Sequence, residues 1–536
     1  MSDDIKHSPQ ATACGQSNSP APHPTDKTPD EGAAVPLTER RLRARRVPVD
    51  TLGEVVAYLR RDSQICRSEG FAAQTRLQLE YGGGVVVATL QTVTGDWLEL
   101  DEIGLSETAL LRLDVAEGAW VRVHHMTPVE SFRHVRHHMS GEAFTSAALD
   151  EVVADIAAGR YSSIQISAFL TACAANRLSD DEVISLTRAM VATGKTLRWP
   201  GDRIVDKHSA GRLPGNRTTP IVVAIVTSQG VVMPKTASRA ITSPAGTADV
   251  METMAPVNLS LEEMRRVVNA VGGCVVFGGA AGLSPANDIL TRIERPLDLD
   301  SEGRMMASIL SKTLAAGSTH VLIDVPVGRT ARIHSQYAFA RFSERLRTIG
   351  HALGLDISTY VGQADQPVGR GIGPSLEARE VVSVLQNRRC APADLRSKSL
   401  QIAGRLLEMG GKVLPGDGEA CARAVLTSGL AWQQFQRICE AQGGMHEPLV
   451  GRHSKPVTAR HPGVVTAVDN RHLAGVAKLA GAPAAPRAGV VFEAPIGTSV
   501  VAGQPLFTIY AESQGELEYA YEYACRFPAI VAVGES

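Results

Sequence analysis

The chain has 536 residues, which at roughly 100–200 residues per domain makes three or four compact units and excludes a single small module. Its 54 Lys and Arg against 56 Asp and Glu leave a formal charge of −2, without the basic excess of a dedicated nucleic-acid binder. With 44% hydrophobic and 21% charged residues a large core is within reach, and 49 Gly with 29 Pro favour a turn-rich mixed α/β chain over a helical bundle.

Residues 1–36 are rich in Ser, Pro, Thr, Ala, Asp and Lys and nearly free of large apolar side chains, so they read as a disordered tail. From 40 to 125 the pattern has period two: Leu77, Leu79 and Tyr81 alternate with polar residues, a Gly turn follows at 82–84, and an apolar run begins at Val85. This predicts a small β-rich domain. Helical spacing rules 126–200, where Leu149, Val152, Val153 and Ile156 stand at i, i+3, i+4 and i+7. There Ser179-x-x-Glu182 is a capping box opening a further helix with Val183, Leu186 and Met190 on one face.

Between 201 and 440, short apolar runs at 231–233, 275–277 and 321–325 alternate with helix-like segments, the pattern of a mainly parallel sheet covered by helices. Residues 441–462 read as a linker, and 463–536 as a small α+β cap built from short β-like runs joined by Gly turns. Eight cysteines stand without a Cys-x-x-Cys pair, which fits reduced thiols better than disulfides or a zinc site. No signal-peptide pattern opens the chain and no apolar run approaches the roughly 20 residues of a membrane span, so the expected compartment is the cytoplasm, with no membrane partner.

Two segments carry chemistry. The first, 206–219, reads Asp-Lys-His-Ser-Ala-Gly-Arg-Leu-Pro-Gly-Asn-Arg-Thr-Thr: a strand end, a Gly-containing loop and a helix start. Such a turn brings backbone N–H groups, a Lys and hydroxyls toward one point, as an oxyanion requires, although the spacing is not that of a Walker loop. The second, 235–249, follows the predicted strand at 231–233 with five hydroxyls, an Arg and small residues. Either alone also serves as an ordinary polar loop; two at strand ends of one sheet point to a ligand.

These two segments, with Ala-Ser-Ile-Leu-Ser-Lys at 307–312, Gln-Pro-Val-Gly at 366–369 and Gly-Pro-Ser-Leu-Glu at 373–377, resemble the thymidine phosphorylase family. The likeness is strongest to its N-terminally extended branch, which also includes the AMP phosphorylases, and it runs from about 126 to 520. The resemblance implies phosphorolysis of a nucleoside to free base and pentose 1-phosphate, with inorganic phosphate as co-substrate and no metal or organic cofactor. It assigns Lys207, Ser209, Thr219 and Thr247 to phosphate, and Ser308 and Lys312 to the pyrimidine. It places His208 near the base as a donor of a proton or a polarising hydrogen bond, where a histidine bonding only backbone is the alternative, and Asp300 as the proton donor of the AMP branch, where an N-cap is an equal alternative. Ser238, Arg239, Thr242, Ser243 and Arg332 fall on substrate contacts of that branch. Two departures stand out: Arg212 replaces the second Gly of a pair, and Ala237 a phosphate-binding Ser.

The expected fold is thus a helical domain, rejoined by 300–317, beside a larger mixed α/β domain, with an N-terminal β-rich domain and a C-terminal α+β cap. The site should lie in the cleft between the helical and α/β parts. Expected partners are a nucleoside and phosphate, within a homodimer or higher homo-oligomer. Thymidine, or a related pyrimidine nucleoside, is the preferred substrate. The alternatives are a nucleoside 5′-monophosphate, with Arg212 or Arg332 reading its phosphate, and a non-catalytic phosphate- or nucleotide-binding protein eroded at Arg212 and Ala237.

Overall fold

Alternation of apolar and polar residues builds the first of two units, which ends at Thr127. The computed structural model describes residues 41–211, 213–240, 243–297, 299, 301–329 and 331–534, so the segment 1–36 lies outside the described residues. The first unit runs β1 (Arg41–Arg46), β2 (Val56–Arg60), α1 (Gln64–Ser68), β3 (Arg76–Tyr81), β4 (Gly84–Val93), β5 (Glu102–Leu105), α2 (Glu107–Leu113) and β6 (Trp120–His125). Its strands close into a barrel in the order β1-β5-β2-β4-β3-β6, with β6 pairing back onto β1. Leu77 and Leu79 of β3, Ala88 and Leu90 of β4, and Val121 and Val123 of β6 fill one core. The turn between β3 and β4 takes two positive-φ residues, Gly82 and Gly83, which glycine adopts without strain. Closure leaves no open sheet edge for another chain to pair with.

The second unit, Pro128–Ser536, opens with α3 (Phe132–Met139), α4 (Ser146–Ala157), α5 (Ser163–Ala175) and α6 (Asp180–Ala192). Then come β7 (Val205–Ser209), α7 (Thr218–Ser228), β8 (Met233–Ala237), α8 (Thr247–Glu252), α9 (Leu261–Val271), β9 (Gly273–Phe277), α10 (Pro285–Leu297) and α11 (Glu302–Ala315). They are followed by β10 (His320–Val327), α12 (Gln336–Ala352), β11 (Asp356–Gln363), β12 (Gly371–Ile372) and four helices, α13 (Pro374–Leu385), α14 (Ala393–Met409), α15 (Gly418–Thr427) and α16 (Leu430–Gln442). The chain ends in β13 (His453–Thr458), β14 (Gly463–Val468), α17 (Asn470–Leu479), β15 (Gly489–Phe492), β16 (Ser499–Val500), β17 (Pro505–Ala511), α18 (Gln514–Arg526) and β18 (Val531–Gly534).

The capping box forms as read: the Ser179 hydroxyl accepts from the Glu182 amide, while the Glu182 carboxylate accepts from the amides of Ser179 and Phe144. Leu149, Val152, Val153 and Ile156 of α4 pack with Leu186 and Met190 of α6. The same core takes Leu290 of α10 and Met306 and Leu310 of α11, so the return to the bundle begins at Pro285, earlier than the expected 300. The pairings within the two sheets of the α/β part are parallel, in the orders β11-β10-β7 and β8-β9, and the Val205 amide donates to the Val232 carbonyl (3.0 Å) between the two sheets. From Pro220 to Val226 helix α7 is apolar and buried on every side, which is why this stretch shows no polar face.

Two sequence expectations need correction. The second strand runs through Ala237 rather than stopping at 233, so Lys235, Thr236 and Ala237 sit in β8 and not in a loop. The stretch read as a linker contains β13, which pairs with β17, its residues alternating between half-buried and exposed in the period-two pattern of a strand. The cap sheet, order β12-β15-β17-β13, also recruits β12 from the α/β part. Among the described residues no helix is long and apolar enough to cross a membrane.

Each hydrophobic core is drawn wholly from one unit or the other. A chain beginning at Pro128 should therefore fold cooperatively and keep the activity of the full chain. Circular-dichroism melting and turnover on the truncated protein check this; a folded but inactive product counts against it.

Candidate active site

The ends of three parallel strands, β7, β8 and β10, set the chemistry. Along β7 side chains alternate in direction, so Asp206 and His208 share one side and Lys207 and Ser209 the other. Asp206, fully buried, accepts from Lys235 Nζ of β8 (2.8 Å) and from His208 Nε2 (2.8 Å). Burial works against its charge, but Lys235 and His208 outweigh it and hold the carboxyl far below the usual range. On the other side Asp324 of β10 accepts from Asn216 Nδ2 (2.8 Å) and from the Ser209 hydroxyl (3.4 Å). It also pairs with Lys398 of α14 (3.0 Å) and, more loosely, with Lys207 (3.7 Å). Two lysines thus share one carboxylate, which leaves a surplus positive charge at Lys207.

Burial lowers the Lys207 ammonium to about 8; Asp324 opposes that fall and Lys398 adds to it. The sequence reading seated this lysine in a solvated cleft, whereas its side chain is only 2% exposed. His208 is pushed down to about 4 by burial and by Lys235, over the opposing pull of Asp206. It is therefore neutral at pH 7, and its Nε2 carries the proton that Asp206 accepts. In that tautomer the remaining Nδ1 holds a lone pair, which suits a hydrogen-bond acceptor.

Loops bring the second half of the cavity into place. Gly215 has φ +69° and lies so close to the Val368 carbonyl that a Cβ would sit 2.5 Å from it. In the 238–249 segment the Asp249 carboxylate accepts from the amides of Ala240 (2.7 Å) and Gly246 (2.8 Å), curling the loop over the start of α8. Arg217, just before α7, donates to Glu377 (2.6 Å), to the Thr247 hydroxyl (2.8 Å) and to the Ala245 carbonyl (3.1 Å), joining three segments. Arg239 is engaged by Glu252 (2.5 and 2.8 Å) and lies over the Phe277 ring.

Opposite, α11 presents Arg304, Ser308 and Lys312 at steps of four, one face of a helix. Lys312 Nζ donates to the Ser238 hydroxyl (3.1 Å), bridging the bundle to the loop after β8. Burial brings this ammonium down to about 8, with Asp288 opposing. Arg332 reaches Met305 of the same helix.

These groups surround one cavity of about 330 Å³ between the bundle and the α/β part. Lys207, His208, Ser209, Thr219, Ser238, Arg239, Ser243, Thr247, Ser308, Lys312 and Arg332 all line it. Asp300, Thr242 and the departure at Arg212 lie outside the described residues. Sequence reasoning missed Arg217, Lys235, Arg304 and Glu377 as lining residues, and the buried anchors Asp206, Asp324 and Lys398 behind them. Asp324 had a signal, a lone acid inside the apolar run 321–325; Lys398, on a helix with other charges, had none.

A helical bundle returning onto a parallel α/β layer, with cationic strand ends facing α11, is the arrangement of a glycosyl transferase. Models described as "Glycosyl transferase family, helical bundle domain" and "Glycosyl transferase family, a/b domain" match residues 133–194 and 201–432. A third, "Pyrimidine nucleoside phosphorylase C-terminal domain", matches 464–525. Among the similar relatives are three that bear the name "Putative thymidine phosphorylase", one of them with a numeral 2. The protein of Polaromonas sp. strain JS666 is 54% identical, covering 91% of this chain and 96% of its own. The second protein of Acidovorax sp. strain JS42 is 52% identical, covering 92% and 97%, and that of Hahella chejuensis 50%, covering 92% and 97%. The chain belongs to the thymidine phosphorylase family.

Replacing Lys207 by Met removes the surplus cation and should lower turnover by on the order of 10²-fold, the scale of losing one preorganised electrostatic donor. Because Asp324 keeps Lys398 and Asn216, the stability loss should stay below the ~3–5 kcal/mol that follows stripping a buried charge of its partner. Steady-state kinetics in phosphate and a melting curve check both. In the unmodified protein phosphate KM should rise as pH climbs through about 8, where Lys207 and Lys312 lose their protons, while no histidine step appears between pH 5 and 8.

Proposed function

We propose that the protein is a thymidine phosphorylase, releasing thymine and 2-deoxyribose 1-phosphate from thymidine and inorganic phosphate. The observation that carries the reading is the division of the cavity: a surplus cation, hydroxyls and a helix start on the strand side, and Ser308 with Lys312 on the helix side. In this reading Lys207, Ser209, Thr219 and Thr247 hold phosphate, whose dianion matches an ammonium and several hydroxyls. A phosphate oxygen attacks C1′ while the bond from C1′ to the base nitrogen breaks, and its electron pair leaves with the base. Ser308 and Lys312 donate to the base, whose negative charge grows along the reaction, so their hydrogen bonds strengthen in the transition state.

His208, neutral and with a free lone pair at Nδ1, acts as an acceptor that orients a sugar hydroxyl or base N–H. Asp300 is proposed to return the proton to the base. Arg239, held by Glu252, shapes the loop more than it reaches substrate. Arg332, half-exposed on the cavity rim, favours a second reading in which a nucleoside 5′-monophosphate is the substrate and its phosphate meets this guanidinium. We propose a homodimer or higher homo-oligomer in the cytoplasm, and no cofactor beyond phosphate.

Assay of thymidine, uridine, AMP, CMP and UMP with phosphate should give base release from thymidine. Activity confined to the monophosphates overturns the substrate, and binding without base release overturns the enzyme. Arg212→Gly should raise the rate if the arginine obstructs the cavity and lower it if the arginine contacts phosphate.

A further inference from the structure

Arg217 directly precedes α7, yet its side chain makes no capping bond to that helix. Only 11% of the side chain is exposed, and it lines the cavity together with Ser209, Thr219 and Thr247. Its Nε donates to the Glu377 carboxylate of α13 (2.6 Å), Nη1 to the Thr247 hydroxyl (2.8 Å) and Nη2 to the Ala245 carbonyl (3.1 Å). Glu377 is buried; burial raises its pKa and Arg217 opposes that rise. The other oxygen of Glu377 accepts from the Gly373 amide (3.2 Å), so the carboxylate that aims the guanidinium is itself fixed.

The bond to Thr247 constrains a proton. A hydroxyl carries one hydrogen and two lone pairs and rotates to suit its surroundings, whereas a guanidinium only donates. Thr247 Oγ1 therefore receives from Arg217, and its own hydrogen turns away from the guanidinium. Among the described residues that hydrogen has no protein acceptor. Thr247 is half-buried in the cavity wall, within reach of a ligand there. An anion with several acceptor oxygens is the partner such a hydrogen fits.

We propose that Arg217 is a positioning residue for phosphorolysis: by donating to the Thr247 oxygen it commits that hydroxyl to donate to phosphate, and Glu377 holds the guanidinium in the orientation that does so. This deepens the reading above and rests on its placing of phosphate at Thr247. Without Arg217 the hydroxyl divides its orientations among other acceptors, and phosphate loses a donor set in place beforehand. Lysine is no replacement, because its ammonium is a point charge without the planar fork that reaches Glu377 and Thr247 from separate nitrogens.

The test is a double-mutant cycle on phosphate KM in the full chain, with Arg217→Gln, Thr247→Val and the two combined. Each single change should raise phosphate KM by about 10-fold or more, the scale of one hydrogen bond to a charged group, with nucleoside KM unaltered. The double variant should be no worse than Thr247→Val, since the arginine acts through a hydroxyl that is already gone. Effects that multiply show Arg217 reaching phosphate by another route and overturn the proposal. Arg217→Lys separates positioning from support of the buried acid: it leaves Glu377 a cation, so the melting temperature should return while phosphate KM stays raised. Recovery of both overturns the proposal. Should Arg217→Gln not fold, the cycle is run with Arg217→Lys in its place.

An unaltered phosphate KM in Thr247→Val overturns the proposal and leaves thymidine turnover, and with it the functional reading, standing. If the unmodified protein releases no base, that reading fails instead, and the same cycle is read on phosphate affinity by calorimetry, where absence of phosphate binding overturns the proposal as well.

Discussion

Two carboxylates buried within adjacent parallel strands organise the site. Asp206 and Asp324 are fully buried acids, and neither is tolerable there without cations in contact. Asp206 draws Lys235 from β8 and His208 from its own strand; Asp324 draws Lys207, Lys398 and Asn216 from three elements. The cations that a phosphate would need are thus assembled beforehand by the fold's own requirement to neutralise its acids. Only the loosest of them, Lys207, has charge to offer a ligand without leaving an acid bare.

The fold supplies the second half by geometry rather than charge. Helices α10 and α11 lie far along the chain from α4–α6, yet they complete the same hydrophobic core. That return carries Ser308 and Lys312 to a position facing the strand ends. Packing on one side of α11 and chemistry on the other are two consequences of one helical repeat, since Met306 and Leu310 go into the core while Arg304, Ser308 and Lys312 look at the cavity.

What the sequence made legible were features that repeat or stand out against their neighbours. The alternation of β3, the capping box at Ser179 and the Gly-containing loops could be read locally, and so could the hydroxyl- and lysine-rich segments that line the cavity. What escaped was set by contacts between distant segments. Nothing around Lys398 announces that it will meet Asp324, and nothing around Arg217 that it will clasp Thr247 and Glu377. The surroundings of His208 escaped for the same reason: its Nε2 is taken by an acid two residues away, and its low basicity comes from burial and from a lysine on another strand. The extent of β13 was lost because its partner, β17, lies some fifty residues downstream.

The hydrogen bond from Lys312 to Ser238 bears on timing. It ties the two halves of the unit to each other, so that in the proposed reading, where Lys312 meets the base, entry of a base exchanges one partner for another rather than adding a net contact. An exchange of near-equal bonds gives little ground-state affinity, and the resting contact re-forms as the base departs. Residence of the free base is shortened accordingly, and binding energy is reserved for the moment when the base carries charge and the serine hydroxyl can no longer compete.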